Sequence, residues 1–133
     1  MTPFEIRKAF ERVLKPFAAA NNVQVAWENL TFSPPSELYL SAFLLPAQDT
    51  HDTICYGNLR IAGVYQIDIR SPINVGTATV HNLVEQIKAL YPVGSRIGDA
   101  NGTVRITTPI STSRGALEKE RYVVNVSIFY SNI

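Results

Sequence analysis

The sequence predicts an α+β fold: a mainly antiparallel β-sheet of about five strands with two helices packed on one face. Two segments repeat apolar residues at helical spacing, and several others alternate apolar and polar residues. Their order along the chain is helix, three strands, helix, then two or three strands, which suits helices gathered over one sheet.

The first helix is the best signalled. Thr2 is placed as N-cap, Pro3 at the first helical position, and Glu5 completes a T-x-x-E capping box. Ile6, Phe10, Val13, Leu14 and Phe17 then form one apolar stripe, and Pro16 predicts an end close by. Strands follow over Val23–Trp27 and Leu38–Ala47, separated by the turn-rich "SPPSE", with "AQDTHDTIC" read as a loop. In the third strand Leu59, Ile61, Tyr65, Ile67 and Ile69 alternate with Arg60, Gln66, Asp68 and Arg70, so one face is apolar and the other wet. The second helix carries Val80, Leu83, Val84, Ile87, Leu90 and Tyr91, with Thr77 or Thr79 as its cap. Asn101-Gly102 predicts a hairpin. The polar segment "STSRGALEKE" then leads to a last strand in which Tyr122, Val124, Val126, Ile128 and Tyr130 alternate.

At 133 residues the chain is expected to form a single domain over 1–133, burying roughly two-thirds of its unfolded surface without disulfides or metal. Twelve Lys and Arg against 11 Asp and Glu give a net charge of +1, so charge offers no broad case for nucleic acid or an anionic membrane. Cys55 is the only cysteine and fits a reducing compartment. The charged N-terminus lacks the apolar core of a signal peptide, and no stretch approaches the ~20 apolar residues needed to span a bilayer. The expected location is the cytoplasm.

Chemistry is poorly signalled. "SPINVGTAT" has a single glycine, Gly76, and no lysine before Lys88, so it is neither a P-loop nor a dinucleotide fingerprint. It reads as a turn into the second helix. His51, Asp52 and Cys55 are the only nucleophile-like group, but nearness along a loop does not provide the geometry that Cys–His chemistry needs. No second His/Asp pair has metal-ligand spacing, and the scattered carboxylates single out no acid–base pair. Asp68, between Gln66 and Arg70, reads as a surface cross-strand partner. No catalytic residue, cofactor or metal is therefore expected.

The second strand is unusual in being apolar on both sides: Leu38, Leu40, Ala42 and Leu44 point one way, while Tyr39, Phe43 and Leu45 point the other with Ser41. The last strand likewise mixes Val123 and Phe129 into its own off-face. Two helices cover one face of a sheet, so either a partner or the loop carrying Phe32 and Pro34-Pro35 must cover part of the other.

The order and spacing of "VAWEN", "YLSAFLLPA", "GVYQIDIRSPINVG", "ALYPVG" and "YVVNVSIFYS" resemble the phage tail terminator-like proteins, the broad group that includes the minor tail protein U of lambdoid phages. The likeness runs over nearly the whole chain. Where that pattern has an aromatic residue, often Trp, before the last strand, Tyr122 takes the place. The resemblance implies a structural, non-enzymatic subunit of a ring, commonly hexameric. Such a ring would cap the head-proximal end of the tail tube, stop polymerisation and face the head connector or neck protein. Assembly would take place in the host cytoplasm and the product would sit in the virion tail, with DNA only passing through the ring lumen. Within that reading Tyr39 and Phe43 are expected at a subunit contact. Asp99, Arg114 and Lys119, in the polar loops 97–103 and 111–119, are expected at the tube or a neighbouring subunit. Two other readings stand beside it: another neck or tail-completion protein of related fold, and a small cytoplasmic enzyme using the His51/Cys55 loop.

Overall fold

The computed structural model describes residues 2–47, 50–51, 59–100, 102–118 and 120–132, with the backbone alone at 50–51 and 59–60. Helix α1 (Pro3–Ala20) begins as its capping box requires: Glu5 N–H donates to Thr2 Oγ1 at 3.2 Å, and Thr2 N–H to Glu5 Oε1 at 3.4 Å. It runs past Pro16, where the sequence predicted an end. Pro16 forfeits one helical hydrogen bond, but the final turn buries Ala18 and packs Phe17 against the core, which offsets that loss. Asn22, at φ 54, stops the helix: Val23 N–H returns to Ala18 O at 3.0 Å and Asn22 N–H to Ala19 O at 3.3 Å, the paired bonds of a Schellman motif.

The sheet is larger and less uniform than expected. Among the described residues it has eight strands, not about five, and it is mixed: one pair of strands is parallel and the remaining pairs are antiparallel. Its main path joins β1 (Gln24–Trp27), β2 (Tyr39–Pro46), β5 (Ala62–Pro72), β10 (Arg121–Ser131), β7 (Gly102–Ile106) and β6 (Arg96–Asp99). A separate two-stranded ladder pairs β3 (Thr50–His51) with β4 (Leu59–Arg60), so the predicted third strand begins at Ala62 and not Leu59. β1 runs parallel to β2, because residues 28–38 carry the chain back across the sheet instead of closing a hairpin.

The polar segment before the last strand supplies the remaining two strands, β8 (Ser111–Thr112) and β9 (Ala116–Glu118). β10 pairs along its whole length with β5, from Arg121 opposite Pro72 to Ser131 opposite Ala62. Its other edge is filled in succession by β7, β8 and β9, with Ile106 opposite Tyr130, Thr112 opposite Val126 and Ala116 opposite Val123. The intervening residues step out of the ladder as bulges do. A long central strand leaves a row of backbone donors that must be satisfied, and polar residues satisfy them as well as apolar ones.

In-facing side chains of the sheet meet both helices in one core. α2 (Ala78–Leu90) contributes Val80, Leu83, Val84 and Ile87; α1 contributes Ile6, Phe10 and Leu14. Phe10 is the hub: it stacks on Tyr65 (centroids 4.5 Å apart, planes 11° apart) and meets Tyr91 at 5.5 Å and Tyr130 at 5.6 Å. The Tyr91 hydroxyl donates to Phe10 O at 3.0 Å, tying the end of α2 to the middle of α1. Both sheet edges, β1 and β6, reach α1, so the sheet curls around it. Arg7–Glu28 and Arg12–Asp99, each at 3.4 Å, fasten those two ends. Glu28 also accepts the Leu44 N–H at 2.9 Å; with Pro46 two residues on, the outer edge of β2 is closed to an added strand.

Gly63 faces Tyr130 across the ladder, and a Cβ there would lie 2.8 Å from the Leu45 carbonyl oxygen. Gly63→Ala is therefore expected to destabilise the protein by about 1–3 kcal/mol, measured by urea unfolding; an unchanged midpoint would show that this end of the sheet shifts at no cost.

Candidate interaction surface

The β2–β5–β10 register sets out the face turned away from the helices as four rows: Tyr39–Arg70–Val123, Ser41–Asp68–Asn125, Phe43–Gln66–Ser127 and Leu45–Val64–Phe129. The first row is covered from within. Phe32 lies against Tyr39 with ring centroids 5.2 Å apart, and the Arg121 guanidinium sits 5.1 Å from the same ring. Arg121 donates to Glu37 O at 2.7 Å and to Pro35 O, holding the 28–38 connection across this end. Of the two expectations for the off-face, self-cover thus applies at Tyr39, and Val123 beneath is buried.

The second row departs from the expected wet face. Asp68 is only 5% exposed, so it is not a surface partner. Gln66 Nε2 donates to its Oδ1 at 2.8 Å, and Arg70 stands 3.7 Å away while also meeting Glu118 at 3.4 Å. Burial raises the Asp68 pKa above its ordinary value; the Gln66 hydrogen bond and the Arg70 charge oppose that rise, and Glu118 adds to it. The carboxylate is a structural cost in the middle of the face.

Beyond it Phe43 shares a row with the polar Gln66 and Ser127, and the last row, Leu45–Val64–Phe129, is apolar and open. Phe43 is half-buried, Leu45 is 47% exposed and Phe129 39%. A groove of about 460 Å³ lies at Phe129, lined also by Ala47, Val64, Thr107 and Ser131 among others. A second apolar cluster stands at the far end of the ladder, where Ile73, Val75 and Leu117 are exposed. The first two belong to the "SPINVG" turn, in which Asn74 and Gly76 take positive φ. Thr77 makes no side-chain cap to α2. The stretch is a turn carrying an apolar tip.

The five residues singled out for contact do not form one cluster. Tyr39 and Phe43 share the off-face two rows apart. Asp99 lies at the end of β6 and pairs with Arg12 on the helix side. Arg114 is exposed between β8 and β9. Lys119 lies outside the described residues, as do Asp52 and Cys55, while His51 is described by its backbone. Among the described residues no group of three His, Cys, Asp or Glu side chains is placed to hold a metal, and no helix is long and apolar enough to cross a membrane. Sequence reasoning overlooked Leu117, whose only signal was one leucine in a polar segment, and Ile73 and Val75, which look like turn residues.

A family profile described as phage tail terminator protein matches residues 5–130. One solved protein structure is similar at 30% sequence identity and a TM-score of 0.82, with 98% of this chain and 95% of that one covered. No curated protein matches the chain.

For Asp68 the folded pKa lies above the unfolded one, so its contribution to stability is complete below the ordinary value of 3.8 and is lost as pH rises through the raised value. Asp68→Asn should therefore melt at a higher temperature than wild type at neutral pH, the difference vanishing in acid. A variant less stable than wild type at neutral pH would mean that attraction from Arg70 outweighs burial.

Proposed function

This chain belongs to the phage tail terminator protein family, and from that premise we propose that it caps the head-proximal end of the tail tube, ends tube polymerisation and helps join the head. The family is structural, and membership makes the chain a component of the phage tail. In the proposed arrangement copies form a closed ring, hexameric by the family resemblance, that contacts the tail tube protein on one side and a head connector or neck protein on the other. DNA only passes through the lumen. The ring assembles in the host cytoplasm and remains in the virion tail, and the whole chain acts as one domain.

The observation that carries this reading is the division of the sheet into a helix-covered face and an off-face whose lower half keeps Phe43, Leu45, Val64 and Phe129 half-buried or exposed. Closed rings need two different surfaces on each subunit, and an open apolar sheet face supplies one of them. Phe43 is the better anchor of the two aromatic residues first considered, because Tyr39 is already engaged by Phe32 and Arg121. Arg114, exposed at the sheet margin, is assigned to a charge-assisted contact with the tube or a neighbour, and Lys119 follows it in the same loop. Asp99 contributes at the β6–β7 hairpin, where its pairing with Arg12 fixes the hairpin to α1.

Disrupting the gene in its parent phage or prophage and imaging the particles tests the role. Overlong, uneven tails without heads are expected. Tails of normal length that fail to take heads would instead mark a head-joining protein, and normal virions would remove the assignment. Phe43→Glu should reproduce the overlong tails while the purified variant keeps the wild-type circular dichroism spectrum. If Phe43→Glu tails have normal length, Phe43 is not at the contact.

A further inference from the structure

A cavity of about 290 Å³ opens where the end of α1, the approach to β2 and one flank of α2 meet. Its apolar lining is Val23, Leu38 and Leu83, the last buried and the other two packed against the core. The exposed lining is chiefly amide: Asn21 and Asn22 from the helix end, Asn82 and Gln86 from α2. Asn21 Nδ2 donates to Phe17 O at 2.9 Å, which leaves its Oδ1 free to accept. Thr79, Asn82 and Gln86 follow one flank of α2 over roughly two turns, so the cavity runs along the side of that helix.

The charge in this cavity has one sign. Among the described residues Glu37 is the single charged side chain lining it, and its carboxylate meets no cation there. Arg121 takes the Glu37 backbone oxygen instead. α1 ends beside it with no basic residue in its last turn, so the partial negative charge of that terminus is also uncompensated. A carboxylate, a helix C-terminus and amide oxygens together favour a cation and oppose an anion. A bare cation would leave the apolar lining unused, whereas a side chain with an apolar stem and a charged head uses both. Acceptors spread around a rim suit the planar fork of a guanidinium better than the point charge of an ammonium. We propose that the cavity receives an arginine side chain from a neighbouring protein, its stem over Leu38 and Leu83 and its guanidinium between the Glu37 carboxylate and the amide oxygens of Asn21 and Gln86. The site goes beyond the terminator reading and does not rest on it.

The probe is Nα-acetyl-arginine amide, titrated into the purified chain while the side-chain amide signals of Asn21, Asn82 and Gln86 are followed by NMR. Nα-acetyl-citrulline amide, its neutral isostere, is the comparison. The arginine probe should shift these signals saturably and bind about tenfold more tightly than the citrulline probe, as loss of a charge-assisted contact implies. Glu37→Gln, at an exposed position, should keep the wild-type spectrum elsewhere and bring arginine binding down to the citrulline level. Absence of a saturable shift overturns the site. Equal binding of the two probes also overturns it and would mark a cavity for neutral amides. Arginine binding unchanged by Glu37→Gln overturns it as well. None of these results bears on tail length, so failure here leaves the terminator reading standing.

Discussion

The pairing of β5 with β10 is the constraint on which the rest depends. Eleven residues of each strand lie opposite one another without a slip, from Arg121–Pro72 to Ser131–Ala62. Because side chains alternate along a strand, this register puts Tyr65, Ile67, Ile69, Val124, Val126, Ile128 and Tyr130 on one face and assigns every intervening residue to the other. A slip of one residue would turn the core outward. Such a long ladder also has ends some distance apart, and both ends carry apolar residues that the helices do not cover.

The two faces are finished by different means. On the helix face, Phe10 inserts among Tyr65, Tyr91 and Tyr130, and the Tyr91–Phe10 hydrogen bond joins the two helices before either meets solvent. Burial there is nearly complete. On the other face Arg121 gathers the 28–38 connection over Tyr39, Asp68 is retained in a setting that opposes its charge, and the remaining rows are left open. A protein with no further contacts would gain by covering Leu45 and Phe129. Uneven finishing of this kind suits a subunit whose second face is completed by assembly.

Much of the fold could be read from the sequence wherever a side-chain pattern records the backbone. Thr2 and Glu5 mark the start of α1 because capping uses their side chains, and the alternation from Tyr122 to Tyr130 marks β10 because half of it is buried. β8 and β9 could not be read, since they join the sheet through backbone groups while their side chains stay exposed. Pro16 misled because tertiary burial of Phe17 and Ala18 outweighs one lost hydrogen bond. Asp68 misled for a related reason: its alternation is that of a wet face, but its neighbours and the curl of the sheet bury it. The excess of apolar residues on the off-face could be read in β2, whereas the tip at Leu117 depends on a pairing that no local pattern announces.

Membership of the tail terminator family makes the chain a phage tail component, and a face left open for contact fits the assembly proposed for it. The most direct measurement is a cryo-electron microscopy reconstruction of the head-proximal end of the mature tail. Phe43, Leu45, Val64 and Phe129 should be buried there between copies or against the tube. A terminal ring in which those four side chains still face solvent, or a tail end without this chain, would contradict the assignment.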